Sequence, residues 1–191
     1  MFLEILLPTY NRINELRSSL ASLICQTDED WRATVILDYP EEGVRAKLLN
    51  VIHSFYDDRI DYIITDKRYN DWGHTPRQIV KQTSKADYIL MTGDDNYYTP
   101  NFVKEVKLAS NSLPGVIYWD MVHSHFNYAY FKCVPAHGQI DMGAFCIRRD
   151  IAQSIPLNTN YAADGDYIES IKKLYPWEKM IKINKVLFVH N

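Results

Sequence analysis

Two adjacent carboxylates, Asp94 and Asp95, follow directly on an apolar run in "ILMTGDDNYYTP" at residues 89–100. Tyr88 to Met91 read as a buried strand, and Thr99 with Pro100 as the cap and first position of a helix, which leaves the acids in the turn between them. Ligands of open α/β sheets bind outside the carboxyl ends of the strands, so these acids are candidates for a site as well as for ordinary turn residues. Asp38 closes the stretch "ATVILD", and Asp164 and Asp166 stand in "NYAADGDYIES"; the same topology would bring them to the same sheet edge. Clustered carboxylates repel one another unless a cation or a set of donors neutralises them. Mg²⁺ or Mn²⁺ answers that need with one or two protein carboxylates, the rest of its shell coming from substrate phosphates, so the pattern points to a nucleotide diphosphate.

Positioning those acids is the task of the surrounding elements. "MFLEILLP" reads as a first strand, and Ile13, Leu16, Leu20, Leu23 and Ile24 then fall on one face of an amphipathic helix. "ATVILD", a helix carrying Val44, Leu48, Leu49 and Ile52, and the strand "IDYIIT" follow. Thr75 and Pro76 repeat the cap-plus-proline signal, and the fourth strand leads to the acids. Alternation of strand and helix over residues 1–110 predicts a Rossmann-like α/β half, a mainly parallel sheet flanked by helices. Over residues 111–191 the segments "GVIYWDMV", "YAYFKCV", "GAFCIRR" and "MIKINKVLFV" read as strands, with helices at "RDIAQSI" and "DYIESIKKLY", a smaller mixed or antiparallel part. One domain over 1–191 is expected, because there is no repeat, low-complexity tract or linker.

With 191 residues, 47% hydrophobic and 13% aromatic, the chain can bury a sizeable core. A net charge of −3 with both signs interspersed advertises neither nucleic acid nor anionic lipid as a partner. The apolar opening is too short for a membrane span and lacks the basic start of a signal peptide. Cys25, Cys133 and Cys146 form no CxxC pair and read as reduced core residues, so a cytoplasmic location is the expectation.

"LLPTYNR", "SLICQTDEDW", "ILD", "GDDN" and "ADGDYIE", in that order over nearly the whole chain, resemble the GT-A fold glycosyltransferases of the large inverting family two. The resemblance implies transfer of a sugar from a nucleotide diphosphate donor, a UDP-sugar first, to a hydroxyl on a glycan or glycoprotein. It places Asp95 at the metal-binding acid of the DxD motif and Asp94 near the ribose or the metal shell. Gly93 stands where many relatives have the first acid. Thr9, Tyr10 and Asp38 fall where relatives hold the nucleotide base, and Arg77 of "GHTPRQ" where they present a cation to the nucleotide or diphosphate. His190 resembles a late metal-binding His. Inversion needs a base opposite the leaving group, which assigns Asp164, at the entrance of a helix continued by Tyr167, Ile168 and Ile171, with Asp166 in reserve.

Four further readings come from the residues themselves. His123 and His125 in "VHSHF" would point to one face of a strand, with acceptor-side contacts or surface placement preferred to zinc. Asp141 in "IDMGAFCIRRD" would touch acceptor or donor sugar. Trp72, Trp119, Tyr128, Tyr130 and Trp177 would be mostly core, with a sugar-stacking platform among them. The chain is shorter than many members of that family, which leaves room for further domains in a longer polypeptide. The rivals are a sugar-nucleotide pyrophosphorylase, which needs a Gly-rich phosphate loop that "LPTYNRIN" lacks, and a non-catalytic nucleotide-sugar-binding module. A phosphatase with its acids after the first strand fits least.

Overall fold

The computed structural model describes residues 2–191. Leu3–Thr9 is apolar without alternation apart from Glu4 and Thr9, as suits a strand covered on both faces, and forms β1 with every residue buried. It leads through α1 (Ile13–Ile24), which buries Leu16, Leu20 and Leu23, to β2 (Trp31–Leu37), and on through α2 (Glu42–His53) to β3 (Ile60–Ile64). α3 (His74–Lys81) returns the chain to the other side of β1, where β4 (Tyr88–Met91) pairs parallel. The order β3-β2-β1-β4 therefore reverses between β1 and β4. That reversal opens a crevice at the carboxyl ends of the strands.

The second part continues the same sheet. After β5 (Tyr97–Tyr98) and α4 (Phe102–Ala109) come β6 (Val116–His123), β7 (Ala129–Phe131), β8 (Phe145–Arg148), α5 (Arg149–Ser154), α6 (Ala163–Leu174) and β9 (Met180–His190). β8 lies antiparallel between β4 and β6, and β9 runs parallel to β6. β5 then closes the path antiparallel to β9, and β7 pairs with β6. The expected parallel half and mixed half are thus one sheet with one continuous core, in which Trp31, Tyr88, Phe102 and Trp119 are buried. Among the described residues no helix is long and apolar enough to cross a membrane.

Two helix starts differ from expectation. Tyr97 and Tyr98 extend to pair with Val189 and Phe188, so α4 begins at Phe102 behind Asn101, and Thr99 contributes its carbonyl to the Phe102 amide at 3.0 Å. α3 begins at His74 behind Gly73, and the Asp71 carboxylate accepts from the Thr75 amide at 2.9 Å, so Asp71 does the work assigned to Thr75. Gly73 has φ +81, and a Cβ there would lie 2.4 Å from Pro8 Cγ, so both conformation and space require glycine. Cys25, expected in the core, is exposed at the end of α1, whereas Cys133 and Cys146 are buried.

Candidate active site

The crevice is a cavity of about 950 Å³. Thr9 and Tyr10 enter it from the end of β1, Asp38 from the end of β2, and Asp94 and Asp95 from the turn after β4. Arg77 of α3 and Asp164 of α6 line it as well. So do Asp141, His123, His125 and His190 at the ends of the second-half strands. Asp166 does not line it. The Asp166 carboxylate accepts from Asn158 Nδ2 at 2.6 Å and Asn160 Nδ2 at 2.9 Å, which holds it against the preceding loop.

The acid turn is built around missing atoms and buried donors. A Cβ on Gly93 would stand 2.7 Å from Asp95 Oδ1, so the absence of a side chain there is what admits the Asp95 carboxylate. The Tyr98 hydroxyl donates to Thr92 Oγ1 at 2.8 Å or to the Gly143 carbonyl at 3.0 Å, tying the strand exit to the second half. Burial pushes the Asp94 carboxyl up to about 6, opposed by the nearby Arg12 cation. The Arg12 guanidinium bonds to the Asp95 carboxylate and lies 3.5 Å from Asp94 Oδ1.

Arg77 is buried; its Nε and Nη2 donate to the Thr92 carbonyl at 3.2 and 2.6 Å, and Nη1 to the Trp72 carbonyl at 3.0 Å. Burial pushes its pKa down, while Asp141, Asp94 and Asp71 act at longer range to keep it charged. This cation lines the cavity with no carboxylate of the described residues bound to it, which suits an incoming anion. At the β2 end, Asp38 accepts from the amides of Tyr69 at 2.9 Å and Asn70 at 3.2 Å, folding residues 66–70 over the cavity rim. One face of the Tyr10 ring is covered by Arg68, whose guanidinium carbon is 3.6 Å from the ring centre.

At the opposite wall Asp164 is the second residue of α6, and its Oδ1 accepts from the Gly165 amide at 2.8 Å. Burial raises its pKa and the Asp141 charge adds to that, a direction suited to a proton acceptor. Asp141 is itself raised by burial, with His190 and Arg77 opposing. Its Oδ2 lies 3.7 Å from His190 Nε2. His123 ends β6 and His125 sits in a one-turn 3-10 helix, so the pair does not project from one strand face. His123 instead stacks on His190 with ring centres 4.0 Å apart, and burial lowers its pKa to about 4.

Among the described residues no three His, Cys, Asp or Glu side chains converge to hold an ion by protein groups alone. Asp95, a carboxylate at the cavity wall, fits an Mn²⁺ or Mg²⁺ that draws most of its ligands from phosphate and water.

Arg12 and Tyr161 carry no role in the sequence alone, and Trp72 stands there only among the core or stacking aromatics. Arg12 lay within "LLPTYNR"; the signal that could have found it is its position, a cation at the exit of β1 beside two acids at the exit of β4. Trp72 and Tyr161, at 64% and 78% exposure, meet edge to face at 5.9 Å on the cavity rim. Of the five aromatics expected mostly in the core, Trp119 is buried, whereas Trp72, Tyr128, Tyr130 and Trp177 are exposed because they sit on loops and on the edge hairpin of β7.

Comparison with known proteins adds three findings. A family model described as glycosyl transferase family 2 matches residues 4–132. A Haemophilus influenzae protein named an uncharacterized glycosyltransferase is 27% identical over 132 residues, 66% of this chain and 42% of its own, so this chain spans about two fifths of that relative. Among solved structures, S. aureus TarS 1–349 superposes with TM-score 0.81 at 14% identity, covering 100% of this chain and 60% of that one. The same TarS portion in complex with UDP-GlcNAc gives 0.77 at 14%, covering 99% and 58%. The mannosyltransferase PcManGT from Pyrobaculum calidifontis, in complex with GDP-Man and Mn²⁺, gives 0.74 at 13%, covering 98% and 56%. At these identities the structural likeness establishes the fold.

Proposed function

The chain belongs to glycosyl transferase family 2, and on that premise we propose that it transfers a sugar from a nucleotide diphosphate donor to an acceptor hydroxyl with inversion. A UDP-sugar is the first candidate donor, and a glycan or glycoprotein the acceptor class. The observation that carries this reading is that Asp95, Arg77 and Asp164 line a single cavity, at the switch point of the sheet.

In this reading Asp38, Thr9 and Tyr10 hold the nucleoside end, and Asp94 lies near the ribose or the metal shell. Arg77 meets the diphosphate, where a fixed buried guanidinium stabilises developing charge without reorganising. A divalent ion would be held through Asp95, with His190 of the same cavity lining as a second candidate ligand, and would supply further stabilisation of the leaving group. Asp164 accepts the proton of the acceptor hydroxyl as its oxygen bonds to the anomeric carbon, and the bond from that carbon to the diphosphate breaks with its electron pair leaving on phosphate. Asp141, in electrostatic reach of His190 and Asp164, contacts the acceptor or the donor sugar in this reading.

Donor turnover with Mn²⁺ over a panel of UDP-, GDP- and dTDP-sugars tests the activity. Both UDP and GDP belong in it, because the TarS and PcManGT structures hold one of each. Asp164→Asn should lower turnover by about 10²- to 10⁴-fold. Asp166→Asn should leave it within a few-fold, since that carboxylate is held by Asn158 and Asn160 and does not line the cavity. Loss in Asp166→Asn with retention in Asp164→Asn would move the base. Donor binding without turnover by any panel member would make the chain a non-catalytic module.

A further inference from the structure

We infer that Arg12 is the resident counter-ion of the acid turn and makes entry of the divalent ion depend on the nucleotide diphosphate. This rests on the reading above in which Asp95 is the metal-binding acid.

Three observations support it. The Arg12 guanidinium is bonded to the carboxylate that the ion needs, and reaches Asp94 at 3.5 Å as well. The acids are therefore already partly neutralised in the ligand-free chain, so the repulsion that would draw in a free cation is reduced. Arg12 is also poised to move. Its side chain is 52% exposed, it stands at the cap position of α1 with its side chain free of any capping bond, and it lines the same cavity as Arg77. Asp95 in contrast is 23% exposed, and Asp94 8%.

The charge count gives the direction. Two carboxylates and one guanidinium leave at most one net negative charge for a lone divalent ion, and the ion must break a charge-assisted bond to reach Asp95. A diphosphate entering beside Arg77 offers Arg12 new acceptors, frees Asp95, and brings oxygen ligands for the ion in the same step. Nucleotide and ion should then favour one another by equal factors, as linkage requires.

The test is direct Mn²⁺ binding, read from the EPR signal of free Mn²⁺, for the wild-type chain, Arg12→Gln, Arg12→Lys and Asp95→Asn, each alone and with saturating UDP. Arg12→Gln should bind Mn²⁺ alone about tenfold more tightly than wild type, and the gain in Mn²⁺ affinity on adding UDP should shrink. Arg12→Lys, which keeps the charge, should stay closer to wild type. Equal Mn²⁺ affinity of wild type and Arg12→Gln without UDP, while Asp95→Asn still abolishes binding with UDP, overturns the role of Arg12 alone. Undiminished Mn²⁺ binding by Asp95→Asn with UDP overturns the assignment of Asp95, and the inference with it.

Discussion

Gly93 shows how a single residue sets the chemistry of the acid turn. Its φ is not in the left-handed region, so an alanine could adopt the backbone; the obstacle is the 2.7 Å from the added Cβ to Asp95 Oδ1. If Asp95 is the metal-binding acid, as proposed above, Gly93→Ala should leave the thermal midpoint within a few degrees of wild type while rotating Asp95, weakening donor binding in the presence of Mn²⁺ by about tenfold. Calorimetric titration with and without Mn²⁺ separates the two effects, and unchanged donor affinity would show that Asp95 tolerates the displacement. By the same geometry an acid at position 93 would not simply add a ligand here, because its Cβ would meet Asp95 Oδ1. At this scale the site was partly legible. Asp38, Asp94, Asp95 and Asp164 stand at element ends, where sequence patterns are strongest. Arg12 was not, because its partner is 83 residues away and nothing local in "YNR" marks a cation that reaches across two strands.

Helices were legible where an apolar stripe repeats, as in α1, and misplaced where a short element intervened. The two-residue β5 has no pattern of its own; it exists because β9 offers an edge, and it moves the start of α4 past Thr99 and Pro100. α3 hides a different feature. Its last residue, Lys81, would be read as a surface charge, yet it is wholly buried, donates to the Ile155 carbonyl and lies 3.4 Å from the Tyr167 hydroxyl. Burial pushes its pKa from 10.5 down to about 8. Between those values the unfolded chain binds the proton and the folded chain does not. Stability should rise as pH goes from about 8 to about 10.5, by up to roughly 3 kcal/mol. Urea unfolding of the wild type and Lys81→Met across pH 7 to 10.5 checks this, since titrating tyrosines cancel in the difference. The wild type should gain on the variant as pH rises, and a constant difference would mean that Lys81 stays protonated in the fold.

At the scale of the molecule, the division into residues 1–110 and 111–191 describes a change of sequence pattern that the sheet does not respect. β8 inserts between β4 and β6, β5 of the first part pairs with β9 of the second, and the cavity takes Asp95 from one and Asp164 from the other. Parallel order in the first four strands followed from their alternation with helices. The antiparallel insertion of β8 could not, because its partners are chosen by long-range edges. Separating the two parts would expose the length of β4 and strip Phe102 from Trp119, whose rings meet at 5.0 Å. We therefore expect the two parts to unfold together as one cooperative unit. The chain supplies a buried reporter in each, Trp31 in β2 and Trp119 in β6. Two variants, each keeping one of these as its only tryptophan with phenylalanine at the other three positions, should each give a urea transition by fluorescence that coincides with the variant's own far-UV dichroism. A reporter that melts before the dichroism of its own variant would instead mark its part as a separate folding unit, with the active cavity formed only on docking.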